Sequence, residues 1–178
     1  MIFFLKKLKS YKNKIAIIFD NKIYRFNEIL SIIKKDFFII NKKSLCFLVC
    51  TNSLGCILSY LFILKNRCIP LLIDKDITEE NFQKLFNNYK PHYLFMPNEL
   101  NFLKTKFSFE NCLNKFDYKV LKNNFKKNNF KINAKLAILM PTSGTTGSTK
   151  YVRISNENLF SNFKSIVKYL KINKKSVT

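Results

Sequence analysis

The sequence LAILMPTSGTTGSTKYVRI, residues 136–154, joins an apolar run to a strand-like segment through a loop rich in hydroxyl groups. The whole chain contains three glycines, and two of them, Gly144 and Gly147, lie in this loop. Glycine tolerates positive φ angles and lets another group approach the backbone closely. A flexible Ser/Thr/Gly linker would have a similar composition. Because this loop interrupts what reads as continuous core, we favour a structured loop held by a sheet.

The loop offers the donors that an anion requires. Exposed backbone N–H groups, several hydroxyls and a terminal lysine together form a cradle suited to a polyphosphate. Two familiar phosphate motifs do not fit, since a Walker A lysine directly follows a glycine and the dinucleotide fingerprint requires three glycines. We predict that the phosphate-binding residues are Thr142, Ser143, Gly144, Thr145, Thr146, Gly147 and Lys150.

Residues 142–152, TSGTTGSTKYV, resemble the signature T-S-G-[ST]-T-G-x-P-K-x-V of the adenylate-forming (AMP-binding) superfamily. This superfamily includes acyl-CoA synthetases, amino-acid-adenylating domains and luciferase-like enzymes. The sequence departs from the signature at Thr149, where most members carry proline. Similarity extends upstream through residues 14–29 and 52–71, where Asn66-Arg67 replaces the family's Ala-Gly. The resemblance covers nearly the whole chain, and its specific part is the loop.

The resemblance implies an ATP-dependent ligase that activates a carboxylic acid as an acyl-adenylate, usually before transfer to a thiol. It implies that the loop grips the β- and γ-phosphates, that Lys150 neutralises charge on the departing pyrophosphate, and that Mg²⁺ accompanies ATP. The family's adenine-contacting segment, acidic ribose-binding residue, acyl pocket and C-terminal lysine all lie beyond Thr178. We therefore expect residues 1–178 to be the N-terminal part of an AMP-binding domain. That part is expected to lack catalytic residues and protein metal ligands, and to be inactive unless a downstream polypeptide completes it.

Alternating strand and helix patterns predict an α/β fold with a mostly parallel sheet and flanking helices. Pro70 suggests a sheet edge or an early strand position for the strand that contains it. Residues 97–133 show no clear period and are expected to be largely irregular, with one short strand. The predicted strands are residues 15–19, 22–26, 45–50, 68–73, 93–96, 118–121, 136–140 and 151–154.

Polar residues ahead of apolar periodic segments predict four helix starts, and we expect each helix to bury one apolar face. The predicted caps are Asn27, Asn52 or Ser53, Thr78, and Ser155 or Asn156. The expected buried faces are Ile29, Leu30, Ile32 and Ile33 in the first helix, Ile57, Leu61 and Leu64 in the second, Phe82, Leu85 and Phe86 in the third, and Leu159, Phe160, Phe163, Ile166, Val167 and Leu170 in the last. An incomplete sheet is also expected to expose an apolar edge and to limit solubility without a partner.

The net charge of +21 would be consistent with a nucleic-acid-binding protein. Lys supplies almost all of the positive charge, however, and only three residues are Arg. Arg is preferred for bidentate contacts to phosphates and bases, so we expect no specific nucleic-acid partner. Five cysteines without a C-x-x-C pair suit a reducing cytoplasm, and the single histidine, His92, is interpreted as structural.

Two alternatives to the ligase fragment remain. One is a non-catalytic nucleotide- or phosphate-binding module built on the same loop. The other is a basic membrane-associated protein, because residues 44–64 carry no charge and are just long enough to span a bilayer. Thr51-Asn52-Ser53 interrupts that stretch, which favours a buried strand followed by a capped helix over a transmembrane span.

Overall fold

The structure is a computed structural model that describes residues 8–35, 37, 40, 43–100, 109–124, 131–142 and 150–173. Within these residues, nine strands and four α-helices follow a short 3-10 helix at Lys9–Tyr11. The strands are β1 (Ile15–Phe19), β2 (Lys22–Arg25), β3 (Leu45–Cys50), β4 (Ile69–Asp74), β5 (Tyr93–Pro97), β6 (Phe109–Lys115), β7 (Tyr118–Asn123), β8 (Leu136–Pro141) and β9 (Tyr151–Ser155). The helices are α1 (Phe26–Lys35), α2 (Leu54–Lys65), α3 (Glu79–Tyr89) and α4 (Asn156–Tyr169).

A seven-stranded mixed sheet in the order β6-β7-β5-β3-β4-β8-β9 forms the centre of the fold. Its middle strands, β5, β3, β4 and β8, are parallel neighbours, and an antiparallel hairpin closes each side. Strands β1 and β2 form a separate antiparallel hairpin. The predicted α/β class with flanking helices is therefore confirmed, with a parallel centre inside a mixed sheet.

Both faces of the central strand β3 are buried, as its nearly continuous apolar sequence predicts. Alternate side chains point to opposite faces, so Cys46 and Leu48 pack with α1 and α2 while Phe47 and Val49 pack with α3. The helix after β3 and the helix after β4 thus lie on opposite faces of the sheet. This arrangement fixes which loops meet at each end of the strands.

Three of the four helix starts are confirmed by side-chain caps. Ser53, Thr78 and Ser155 each accept a hydrogen bond from a backbone N–H in the first turn of α2, α3 and α4. The prediction for Asn27 is wrong, because α1 begins one residue earlier, at Phe26. There the Glu28 carboxylate accepts the N–H of Arg25, the residue before the helix, at 2.6 Å, which satisfies this backbone donor without an asparagine cap.

The predicted buried face of α2 is partly wrong. Ile57 is 42% exposed, while Leu58 and Phe62 turn towards the sheet and are fully buried. Helix α2 is apolar almost all round, so its periodicity could not select the face that packs on the sheet. In α1 and α3, where polar and apolar residues alternate more clearly, Ile29, Ile33 and Phe82 are buried as predicted.

One strand prediction holds and another is incomplete. Pro70 is the second residue of β4, as an early strand position requires, but β4 lies between β3 and β8 and is not a sheet edge. Residues 97–133 were expected to hold one short strand, and β7 confirms it. The same region also contains β6, which pairs with β7 through a tight turn.

Helix α4 does not bury the face that its apolar spacing predicts. None of its residues is fully buried; Leu159 and Val167 are half-buried, and Phe163 is 56% exposed. The helix lies beside β8 and β9, where the sheet ends, so only one side of it has a neighbour among the described residues. The exposed apolar residues of α4 and its C-terminal cap are Phe160, Phe163, Ile166, Tyr169 and Leu170.

No helix of the described ranges is long and apolar enough to cross a membrane. The uncharged stretch of residues 44–64 instead divides into the six-residue strand β3 and the first eleven residues of α2, as the polar interruption at 51–53 predicts.

Candidate functional site

The carboxyl ends of the four parallel strands meet at one edge of the sheet. The C-terminal residues of β3, β4, β5 and β8 are Cys50, Asp74, Pro97 and Pro141, respectively. Because α2 follows β3 on one face and α3 follows β4 on the other, the chain leaves these neighbouring strands in opposite directions. Ligands of α/β sheets bind in the crevice that such a divergence opens.

The predicted phosphate loop enters and leaves at this edge. It connects β8 to β9, and its two ends are joined by hydrogen bonds from Thr142 to the carbonyl oxygen of Lys150. The Thr142 N–H donates at 2.9 Å and the Thr142 hydroxyl at 3.2 Å. The structure therefore brings these two predicted site residues together in a closed, exposed loop base. The other predicted residues, Ser143, Gly144, Thr145, Thr146 and Gly147, lie outside the described residues.

Tyr151 fixes the exit of the loop against the sheet. It lies opposite Pro141 in the β8–β9 ladder, and its half-buried ring packs edge-on against Tyr89 with ring centroids 5.8 Å apart. Burial raises the pKa of Tyr151 to about 12, with smaller contributions from Tyr89, Cys50 and Asp74. The phenol is therefore neutral at physiological pH, and its position links the loop exit to the ends of β3 and β4.

Asp74 supplies an exposed carboxylate at the end of β4. Its Oδ1 accepts the Asp76 N–H at 2.9 Å, and its carbonyl oxygen accepts the Ile77 N–H at 3.2 Å. These bonds form the turn that leads into α3. In the described part of the chain, no group of three or more His, Cys, Asp or Glu could hold a metal ion. Asp74 therefore belongs to no metal-binding cluster among those residues.

A chain of hydroxyl groups fixes the end of β3 and the start of α2. Tyr118 donates its single proton to the Val49 carbonyl oxygen at 2.7 Å. The Thr51 hydroxyl, 2.9 Å from the Tyr118 oxygen, must then donate to it, and Ser53, 2.8 Å from Thr51, must donate in turn. Ser53 remains free to accept the Cys56 N–H at 3.2 Å, so the network ends in the helix cap.

The third glycine of the chain, Gly55, allows a close packing contact at the start of α2. A Cβ atom at this position would lie 2.1 Å from the Phe116 carbonyl oxygen and 2.7 Å from a ring carbon of Tyr118. The start of α2 can therefore approach the β6–β7 turn only because position 55 has no side chain. This contact and the hydroxyl network hold the start of α2 in place beside the crevice.

Sequence reasoning missed a pair of thiols at the same edge. Cys50 ends β3, Cys56 lies in the first turn of α2, and both pack in the hydrophobic cluster that α1 and α2 cover. The pKa of Cys56 is lowered, chiefly by the neighbouring Cys50 thiol and further by the Thr51 backbone. The available signal was the position of Cys56 three residues after a capping serine, where a helix N-terminus favours a thiolate.

No protein-family model matches the sequence, and a sequence search of curated proteins finds no match. Solved structures do share the fold. O-succinylbenzoate coenzyme A synthetase (MenE) from Bacillus subtilis, solved in complex with AMP, superposes with a TM-score of 0.67 at 15% identity, over 96% of this chain and 46% of that chain.

Two further structures agree with this comparison. The fatty acyl-adenylate ligase from L. pneumophila, in complex with acyl adenylate and pyrophosphate, gives a TM-score of 0.62 at 18% identity, over 97% of this chain and 32% of that one. The McyG A-PCP protein, complexed with phenylalanyl-adenylate, gives 0.58 at 15% identity, over 97% and 30%. The chain thus spans less than half the length of each of these three proteins. Its fold is that of the N-terminal part of adenylate-forming enzymes, as the resemblance of residues 142–152 implies.

Proposed function

We propose that this chain is part of an ATP-dependent ligase that activates a carboxylic acid as an acyl-adenylate. In this proposal, the loop from Thr142 to Lys150 binds the β- and γ-phosphates of ATP. The observation that carries the proposal is the position of that loop. A stretch with the signature TSGTTGSTK starts and ends at the carboxyl edge of a parallel sheet, in a fold shared with enzymes solved in complex with AMP or acyl-adenylates.

The described geometry suits a phosphate ligand in two respects. The double hydrogen bond from Thr142 to the Lys150 carbonyl holds the loop base closed, so the loop does not need to be ordered at its ends when a ligand binds. Lys150 is exposed and lies at the loop exit, where its ammonium group can pair with phosphate oxygens. The hydroxyls and N–H groups of Ser143, Gly144, Thr145, Thr146 and Gly147 would complete the cradle.

Mg²⁺ would arrive with the nucleotide and be held mainly by its phosphate oxygens, as is usual for this ion. In the reaction it would neutralise charge on the pyrophosphate. The chain's own contribution is to hold the triphosphate through the loop and to offset its charge through Lys150. We further propose that another polypeptide supplies the rest of the ligase and that the protein works in the cytoplasm, where its cysteines stay reduced.

Calorimetric titration of the full chain with MgATP tests the site. A charge-assisted hydrogen bond contributes about 1.5–3 kcal/mol, so Lys150→Ala is expected to weaken ATP binding by about tenfold to a hundredfold. Lys22→Ala is the matched control, since Lys22 is also exposed but lies in the separate β1–β2 hairpin. Equal losses in both variants would show that the positive net charge, and not the loop, attracts the nucleotide.

ATP–pyrophosphate exchange distinguishes a ligase fragment from a non-catalytic nucleotide-binding module. The chain alone is expected to bind ATP without exchange. Exchange that requires a carboxylic acid is expected only after addition of a polypeptide equivalent to the remaining part of the structural relatives. If that addition restores nothing while binding still depends on Lys150, the non-catalytic module is the correct function.

A further inference from the structure

We propose that the outer face of the β1–β2 hairpin binds the surface of an anionic lipid bilayer. In this proposal, exposed isoleucines on that face enter the interfacial region of the bilayer, and the basic side chains around them contact the lipid headgroups. The proposal concerns the hairpin alone and does not depend on nucleotide binding. It rests on the apolar character of the outer face, on its small area and on the positive charge that surrounds it.

The β1–β2 hairpin is apolar on both faces. Its inner face packs on the core cluster through Ile17 and Tyr24, which lie opposite each other in the ladder. The next pair along the ladder, Ile18 and Ile23, therefore points to the outer face, where the two side chains are 55% and 52% exposed. An antiparallel pair that packs on a core usually turns polar residues towards water. Here two isoleucines lie side by side in the position that faces water.

A β-bulge adds a third isoleucine to the same face. The register shifts between Ile15 and Ile17, so Ile15 lies opposite Arg25. Arg25 is two residues after Ile23 in β2 and shares its face, so Ile15 belongs to the outer face as well. Ile15 is 51% exposed. The isoleucine patch therefore consists of Ile15, Ile18 and Ile23.

The surroundings of the isoleucine patch are basic. Three exposed basic residues are next to its members in the chain or across the ladder, namely Lys14, Lys22 and Arg25. Residues 8–35, which contain the hairpin and α1, carry seven Lys or Arg against two acids. One acid, Glu28, accepts the Arg25 N–H, and the other, Asp20, lies in the turn between the strands. The patch is thus complementary in charge to anionic headgroups, where each nearby cation strengthens binding about fivefold.

An anionic bilayer fits this patch better than a second copy of the chain or a nucleic acid does. Three half-exposed isoleucines offer far less apolar area than the roughly 800 Å² that each partner of a specific protein interface buries. Two copies would also bring two basic rims together. A nucleic acid would attract the basic residues but would leave the isoleucines against phosphates and sugars. A bilayer accepts apolar side chains at the acyl boundary and cations at the headgroups together.

Co-sedimentation of the full chain with vesicles tests the proposal. The vesicles contain phosphatidylcholine alone or an equal mixture with phosphatidylglycerol, at physiological salt. We expect the chain to bind the anionic vesicles and to leave the neutral ones largely free. Combining Ile18→Ser with Ile23→Ser is expected to lower the partition coefficient at least about tenfold, because two apolar contacts with the acyl chains are lost. Lys22→Gln is expected to lower it about fivefold.

Phe163→Ser is the matched control. Phe163 is 56% exposed, as the isoleucines are, but it lies on α4, outside the hairpin. Its substitution is expected to leave the partition coefficient unchanged. Circular dichroism checks that each variant is folded, and the single lysine substitution tests the same face without removing an apolar side chain.

A fluorescent probe reports directly on insertion. The chain contains no tryptophan, so Ile23→Trp introduces a unique fluorophore into the isoleucine patch, and Phe163→Trp introduces one into α4. We expect the emission of the Ile23→Trp variant to shift to shorter wavelength when anionic vesicles are added, because the indole leaves water. The emission of the Phe163→Trp variant is expected to stay constant.

Three results would each overturn the proposal. If the double serine variant binds anionic vesicles as well as wild type does, the net charge of the chain causes the binding and the patch does not. If only the Phe163→Trp variant shows the shift, α4 is the surface that meets the lipid. If the chain binds a duplex oligonucleotide but no vesicles at physiological salt, its partner is a nucleic acid.

Discussion

Gly55→Ala tests the packing that holds the start of α2 at the carboxyl edge. The new methyl group would lie 2.1 Å from the Phe116 carbonyl oxygen and 2.7 Å from the Tyr118 ring. The first neighbour is backbone, which cannot rotate away, and the Tyr118 hydroxyl is itself bonded to the Val49 carbonyl oxygen. Either α2 or the β6–β7 turn must therefore move.

The expected magnitude is the difference between two effects. Overpacking a well-packed contact costs about 1–3 kcal/mol, and contacts this short belong at or above the upper end. Replacing a glycine by alanine inside a helix returns about 1 kcal/mol of helix propensity. We therefore expect Gly55→Ala to lower the free energy of unfolding by about 2 kcal/mol. For a domain of 178 residues this corresponds to a decrease in Tm of about 4–8 °C.

Urea unfolding followed by circular dichroism measures the change, with thermal melts as a second readout. Ser59→Ala in the same helix is the control, because it removes a buried hydroxyl that has no hydrogen-bond partner among the described residues and adds no atoms. Its unfolding midpoint is expected to stay constant or to rise slightly. A Gly55→Ala chain as stable as wild type would refute the close approach of α2 to the β6–β7 turn.

Two further predictions concern the loop exit and the exposed helix. Burial raises the pKa of Tyr151 from 10.0 to about 12, so its neutral form stabilises the fold fully below pH 10, and this contribution is lost as pH rises towards 12. Tyr151→Phe should flatten the fall in urea midpoint across that window; an unchanged fall would contradict the burial of the phenol. Phe163→Glu, at a 56% exposed position of α4, should reduce self-association in light scattering and change stability by no more than about 0.5 kcal/mol. Phe82→Glu, at a fully buried position, should instead prevent folding, and an equal effect of both substitutions would mean that α4 is buried.

The sequence predicted the parallel centre of the sheet well because the physical signals there are strong. An uninterrupted apolar run of six residues, as in Leu45–Cys50, is typical of a strand that is buried on both faces. Ser53 and Thr78 begin helices because their hydroxyls satisfy backbone N–H groups that no helical carbonyl can reach. These are local effects, so they can be recognised without knowing the neighbouring strands.

The errors arise where the surroundings decide. Strand β6, with the sequence FENCLNK, shows no alternation of polar and apolar residues, so its pairing with β7 supplies most of what defines it as a strand. The apolar stripe of α4 predicts burial correctly only if something covers it, and no described element does. At the candidate site, the loop signature could be recognised from the sequence, whereas the packing of Cys50 and Cys56 in one cluster depends on how α2 docks on β3.

The attachment of the β8–β9 hairpin has a consequence for local stability. The β8–β9 hairpin lies at one end of the seven-stranded sheet and joins it through β8 alone, where Leu139 aligns with Leu71 of β4. That pair also joins residues 68 positions apart, since 139 − 71 = 68, which makes it expensive in chain entropy. The hairpin that carries residues 142–150 is therefore expected to detach and exchange its amide hydrogens before the β3–β4 pair does. Any anion held by the loop would slow that opening in proportion to its affinity.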